Sequence, residues 1–136
     1  MDLKLLCIRE SSGAALDSPE KIRDLMREEG KADRECMWVL HLNQRSKLIE
    51  KELVSMGTIN AAIVRPREVF KKAILNSTVN IITVHNHPSG DSEPSEDDIK
   101  IWNQLRNAGE IIGIPILDNL IITLNGKFYS EHNDKR

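Results

Sequence analysis

The chain is poor in cysteine, in aromatics, in long apolar runs and in net charge, and each shortage removes a class of protein. Only Cys7 and Cys36 occur among 136 residues. Neither lies at metal-ligand spacing from another cysteine, and each sits in an apolar run. That excludes a disulfide scaffold and a thiolate metal site. Both read as small core hydrophobes in a reducing compartment. No apolar stretch approaches the roughly 20 residues that a membrane-spanning helix needs. Met1-Asp2-Leu3-Lys4 opens no secretory h-region either. The expected address is therefore cytoplasmic, with no membrane partner. Aromatics make up 4% of the chain and the net charge is -2. A nucleic-acid-binding face would show a basic stripe with interleaved aromatics. Arg65, Arg67, Lys71 and Lys72 form only a local basic patch, so no direct nucleic-acid binding is expected.

What is present fits one domain, 1–136, since chains of this length form one core. Such a domain buries roughly two-thirds of the surface its unfolded chain exposes. No metal is needed merely to hold it together. There is no internal repeat, low-complexity tract or interdomain linker. Leu3 to Ile8 reads as an extra strand or packed arm within 1–17, followed by a loop of small residues from Ser11 to Ala15. Ser18-Pro19-Glu20 starts a helix: a capping hydroxyl, a proline at the first position, then an acid at the positive end of the dipole. Ile22, Leu25 and Met26 give it one apolar face, and Gly30 is placed to end it. Cys36 to Leu42 is apolar enough for a strand buried on both faces. A turn over Asn43 to Ser46 leads to a partly alternating strand, Lys47 to Ser55, broken by Gly57.

Pro66 to Phe70 opens a second helix with Val69, Phe70, Ala73 and Ile74 on one side. Val79 to Val84 is a short strand, from which His85 to Asp91 departs. Ser95 caps a third helix running to about Ala108, with Gly109 near its end. Ile114 to Leu117 and Leu120 to Leu124 are two further strand candidates. Asn125-Gly126 carries a type I′ hairpin signal, with Lys127-Phe128-Tyr129 returning. The tail 131–136 is expected to fray. Alternating strands and helices with a hairpin at each end predict an α/β fold, a mixed β-sheet flanked by helices.

His85 and His87 stand two apart at a strand end, so extended backbone would point both imidazoles the same way. That is half of a zinc site, although a polar loop explains two histidines equally well. Asp98 strengthens the metal reading. Stepped at 100° per residue, the third helix clusters Ile101, Trp102, Leu105 and Ile112, and Asp98 falls within that face. An ionised carboxylate aimed at the core needs a partner, and a cation held by the histidines supplies one. The plainer alternative is a first-turn acid that suits the helix dipole. Glu96 and Asp97 satisfy that alternative without using the inner face.

Three ligands of types His, His and carboxylate leave a fourth tetrahedral position for water, which is the catalytic pattern. Zinc acidifies its water and polarises a carbonyl. A neighbouring carboxylate must then move the water proton. Glu35 is the candidate, since it opens an otherwise apolar strand, although a surface acid at a strand end fits the same pattern. The Ser95 hydroxyl can cap the helix and also donate to an oxyanion at the metal. Gly90 is expected in a backbone conformation that other residues disfavour. His41 reads as a satisfied histidine in the buried strand, and His132 as a solvated one.

These residues resemble the metal signature of the RadC-like proteins, within the JAMM (MPN or JAB) metallopeptidase superfamily. The matching run is His85-Asn86-His87-Pro88-Ser89-Gly90-Asp91, then Pro94-Ser95 and Asp98. Ser95-Glu96-Asp97-Asp98 is similar to the family's Ser-x-x-Asp, with Asp98 eleven places after His87. Gly57-Thr58, Pro66 to Phe70 and Gly113 to Asp118 also resemble RadC sequences, and the similarity runs from about Ser18 to Ser130.

The resemblance implies a JAMM/MPN fold, a three-layer arrangement with a curved mixed sheet related to the cytidine-deaminase architecture. It implies zinc as the cofactor, held by His85, His87 and Asp98. Glu35 matches the upstream acid/base glutamate, and Ser95 the serine that steadies the tetrahedral intermediate. The implied activity is hydrolysis of a peptide or isopeptide bond in a peptide or protein substrate, often beside ubiquitin-like proteins. A non-catalytic metal-binding interaction module, associated with DNA repair or replication, is the alternative. A homo-oligomer is compatible with exposed strand edges.

Two features depart from the family pattern. The helix-hairpin-helix module that RadC proteins usually carry at the N-terminus has no room here, so the chain reads as a fragment or a short form. Asp118-Asn119 stands where RadC proteins typically have Asp-His. The contiguous letters His-Asn-His are no sign of an HNH nuclease, whose three residues are dispersed through a ββα unit.

Overall fold

A computed structural model describes residues 13–134. The expected arm at Leu3 to Ile8, and Cys7 with it, lies outside the described residues. The described elements are α1 (Pro19–Leu25), a short 3₁₀ turn (Glu29–Lys31), β1 (Cys36–Leu42), β2 (Leu48–Met56), α2 (Pro66–Leu75), β3 (Asn80–Asn86), α3 (Glu96–Ile112), β4 (Ile116–Ile122) and β5 (Phe128–Ser130).

The five strands form one mixed sheet in the order β2-β1-β3-β4-β5. β1 pairs antiparallel with β2 and β3, β3 parallel with β4, and β4 antiparallel with β5. Strands β2 and β3 thus run the same way, and so do β3 and β4. Each of these pairs is joined through a helix, and both crossovers step in the same direction across the sheet. Right-handed crossovers then put both helices on one face. The core agrees: Val69 and Phe70 of α2 and Ile101, Trp102 and Leu105 of α3 pack with Met37, Val39, Ile81 and Ile121. Helix α1 covers the opposite face, where Ile22 and Met26 meet Trp38, Leu40, Ile82, Val84 and Leu120. The result is the expected three-layer α/β arrangement. Strand β1 is flanked by β2 and β3 and covered on both faces, so all seven of its residues are buried.

Several elements differ from the sequence reading. Strand β3 does not stop at Val84 but carries His85 and Asn86 within it. The two strand candidates after α3 are one strand, β4, whose middle holds buried Asp118 and Asn119. Its interior polar pair masked the continuity. Asp118 accepts from Ser130 Oγ at 2.6 Å and from the backbone N–H groups of Asn119 and His132 at 2.8 and 3.0 Å. Asn119 accepts from Thr83 and donates to Glu131 at 3.0 Å. Buried polar groups so paired are tolerated in a core.

Helix α3 also runs past Gly109 to Ile112 and ends on Gly113. Gly109 is a packing residue inside the helix: a Cβ there would meet the Ile114 carbonyl oxygen at 2.7 Å. Ile112 lies at the helix end and is 41% exposed rather than part of the buried face. Gly30 does not end α1, which stops at Leu25; it sits in the 3₁₀ turn, against Thr123.

The β4–β5 turn is not type I′, which needs positive φ at both central residues. Among the described non-glycine residues only Ser46 and Ser77 have positive φ, so Leu124 and Asn125 do not. Gly126 has φ 83° and its N–H bonds the Thr123 carbonyl at 3.3 Å. This is a type I turn closed by a left-handed glycine, the three-residue hairpin connection. The tail, expected to fray from Glu131, is held as far as Asp134 by backbone bonds, including Glu131 N–H to Asn119 O at 3.0 Å. Among the described residues no helix is long and apolar enough to cross a membrane.

Candidate metal centre

The C-terminal end of β3, the N-terminal end of α3 and the start of β1 meet at one end of the sheet. Ligand sites in α/β sheets favour such strand ends. Pleating puts His85 on the face covered by α3, together with Ile81 and Thr83, while Asn86 faces the α1 side. His87 lies just past the strand, and its N–H is held by the Ile122 carbonyl at 3.0 Å. The chain then turns. Gly90 N–H bonds the His87 carbonyl at 3.1 Å, and Gly90 has φ 88°, a conformation glycine adopts without steric cost.

Asp98 comes from the other side. Ser95 is the N-cap of α3 and forms a reciprocal capping box with it. Its Oγ accepts from Asp98 N–H at 3.1 Å, and Asp98 Oδ2 accepts from Ser95 N–H at 2.8 Å. The cap fixes the carboxylate's direction as well as the helix start. Asp98 is only 3% exposed, so the helical period placed it on the inner face correctly.

The three side chains converge. His85 Nε2 and His87 Nε2 lie 3.2 Å apart. Asp98 Oδ1 is 3.1 Å from His85 Nε2, and Oδ2 is 3.1 Å from His87 Nε2. One donor atom from each falls within 4.8 Å of the others, a group able to hold a metal ion. His87 Nδ1 is 2.8 Å from the Asp91 carbonyl. A carbonyl only accepts, so Nδ1 carries the proton and Nε2 keeps its lone pair for the centre. This orienting contact left no sign in the sequence, because a backbone oxygen makes it. His85 rests on Trp102, with ring centroids 6.1 Å apart, and Trp102 stacks on Tyr129 at 5.9 Å. This aromatic floor fixes one wall of the centre.

The electrostatics suit a cation. Burial works to raise the Asp98 carboxyl, but hydrogen bonds from the two histidines, the charge of His85 and the Ser95 N–H outweigh it and hold it well below the usual range. The His87 imidazole is raised, first by its bond to Asp98 and against its burial, then by the Asp91 carbonyl and the charges of Asp98 and Glu35. The site therefore stabilises positive charge between the histidines and the carboxylate.

Glu35 lies immediately before β1. Its position in the pleat is on the same face as Met37, which pairs with His85, so its side chain belongs to the side of the ligands. Its Oε2 accepts from Ile59 N–H at 3.3 Å. It makes no hydrogen bond to the trio, although its charge reaches His87. His41 lies apart from this group. It is fully buried between Glu52 Oε1, 2.9 Å from its Nε2, and Thr78 Oγ1, 3.3 Å from its Nδ1. His132 is exposed on the turn after β5.

Residues 16–135 match the RadC-like JAB domain. The chain is 48% identical over 114 residues to a UPF0758 protein of Desulforudis audaxviator, covering 83% of this chain and 49% of that protein. It is 52% identical over 95 residues to a UPF0758 protein of Pelodictyon phaeoclathratiforme, covering 70% and 43%. It is 42% identical over 120 residues to one of Caldanaerobacter subterraneus, covering 88% and 52%. The chain thus spans about half the length of the curated relatives it matches. With a matching domain over nearly its whole length, the chain belongs to the RadC-like JAB domain family.

Proposed function

We propose that this domain is a zinc-dependent hydrolase that cleaves a peptide or isopeptide bond. In this reading His85, His87 and Asp98 hold the ion. Two imidazoles and one carboxylate are the donor set of catalytic zinc, and their convergence within 4.8 Å is the observation that carries the proposal. When bound, such an ion supplies Lewis acidity, polarising a carbonyl and making water a stronger acid.

The chain's own residues do the rest. His87 is oriented by Asp91, and Asp98 by the capping box. Glu35 acts as general base, taking a proton from water on its carboxylate and delivering it to the leaving amine. Among the described residues its carboxylate accepts the long bond from Ile59 N–H on Oε2, which leaves Oε1 available. Ser95 Oγ, which accepts from Asp98 N–H, has its own proton to donate to an oxyanion. The substrate is a peptide or protein and the compartment the cytoplasm.

Elemental analysis of protein purified without chelator tests the ligand set. About one zinc per chain is expected in the wild type and none in Asp98→Ala. Absence of zinc from both would overturn the assignment. Digestion of a peptide library, read by mass spectrometry, then tests the chemistry. Cleavage by the zinc-loaded protein that disappears in Glu35→Gln is expected. A zinc-loaded protein that cleaves nothing in that library, nor isopeptide-linked conjugates, would favour the non-catalytic metal-binding module.

A further inference from the structure

Asn86 lies between the two histidines but points to the opposite face. It is fully buried. Its Oδ1 accepts from Cys36 N–H at 2.7 Å. Its Nδ2 donates to the carbonyls of Arg34 at 2.9 Å and Ala32 at 3.3 Å. A carboxamide offers two donors and an acceptor oxygen with two lone pairs, so both its protons and one lone pair go to this short segment.

The identity of the partners matters more than their number. Arg34 C=O and Cys36 N–H belong to the two peptide groups on either side of Glu35. The β1–β3 pairing ends at Met37↔His85. Where the backbone ladder stops, the Asn86 side chain continues it. One carboxamide thus clamps both peptides flanking Glu35, while its own backbone neighbours are His85 and His87.

We propose that Asn86 is the positioning residue that fixes Glu35 relative to the two histidines. It touches neither the ligand atoms nor the Glu35 carboxylate and acts only through backbone. Gly57 N–H, bonded to Glu35 O at 2.7 Å, holds the other side of the segment. Strand alternation makes this arrangement possible: in His-Asn-His the outer residues face the centre and the middle one faces away. A lost hydrogen bond of this kind leaves buried polar groups unpaired, so the segment carrying Glu35 loosens before the rest of the fold does. The inference rests on Glu35 being the general base, but the position of Glu35 can be read without activity.

Amide hydrogen exchange by NMR tests the clamp, because Ile59 N–H reports on the Glu35 carboxylate and Cys36 N–H on Asn86. In Asn86→Ala, protection at Cys36 and Ile59 should fall at least about tenfold more than at Leu40 in the centre of β1. An equal fall at all three would make Asn86 a general stabiliser and overturn the proposal, as would no fall at Ile59. If the alanine variant does not fold, the unsubstituted protein decides. Cys36 and Ile59 should then exchange through one shared sub-global opening with the same denaturant dependence, and independent openings overturn the clamp. In cobalt-substituted protein, Asn86→Ala should shift the pH midpoint of the visible spectrum in the same direction as Glu35→Gln, and the double variant should add nothing. A spectrum insensitive to Glu35→Gln would defeat the general-base reading, while the exchange data would still judge the clamp.

Discussion

His85 and His87 become ligand candidates at the residue scale because two side chains at spacing two can share a direction, and Asp98 joins them through the helical period. Burial gives that pattern its force, since an inward carboxylate 3% exposed must be paired. Glu35 has a different standing. Its position at the start of an otherwise apolar strand made it a candidate, but a surface acid fits that pattern equally well, and the resemblance added the upstream-glutamate match. Asn86 carried no signal, because its partners are three backbone groups. The assigned roles predict opposite behaviour for two variants. Glu35→Gln should keep about one zinc per chain while hydrolysis falls by about 10² or more. His87→Ala should lose the zinc and keep its circular dichroism, because the two apolar clusters do not depend on the ion. Zinc loss in the first variant would defeat the base assignment. Unfolding of the second would mark the ion as structural.

At the scale of elements, the sequence located helices and strands by their caps and apolar patterns but misplaced several ends. For β4 and α3 the reason is the same: tertiary partners satisfied what local pattern counted as a break. Asp118 and Asn119 split β4 on paper, yet Ser130, His132, Thr83 and Glu131 pair them inside the sheet. Gly109 resembled a helix end, yet it sits inside α3, where Phe70 of α2 and the Ile114 carbonyl of the closing turn approach it closely. This makes a sharp prediction. Helix propensity alone would favour Gly109→Ala by about 1 kcal/mol. The added methyl, however, would lie 2.7 Å from a backbone oxygen and 3.3 Å from Phe70 Cζ, and such overpacking costs typically about 1–3 kcal/mol. Urea unfolding should therefore show a lower midpoint at unchanged slope. An equal or higher midpoint would mean that the turn at Ile114 and the Phe70 ring of α2 give way readily.

For the molecule as a whole, the fold follows from two crossovers in one direction, which load α2 and α3 onto the ligand face and leave the other to α1. Asp118 lies buried on that other face, and burial raises its carboxyl above the ordinary value of 3.8, against the lowering bonds from Ser130, His132 and Asn119. The folded state then holds the proton more tightly than the unfolded chain. Its contribution to stability is largest below the unfolded value and is lost as pH rises through the folded one. Asp118→Asn removes that titration. Chemical denaturation at several pH values should thus show the wild type gaining on the variant as pH falls from 7 toward 4. A constant difference would mean that Asp118 has the same affinity for protons in both states.

The sequence by itself determined the alternation of strands and helices, the strand buried on both faces, and the convergence of His85, His87 and Asp98. These follow from periods of 2 and 3.6 and from capping chemistry, all of which are local. Only the tertiary structure decided that β4 is continuous, that α3 passes through Gly109, and that the segment around Glu35 is tied to β3 by Asn86. Those features depend on contacts between residues as far as 54 positions apart. Spacing along the chain cannot report them, because the partners meet only after the sheet has formed.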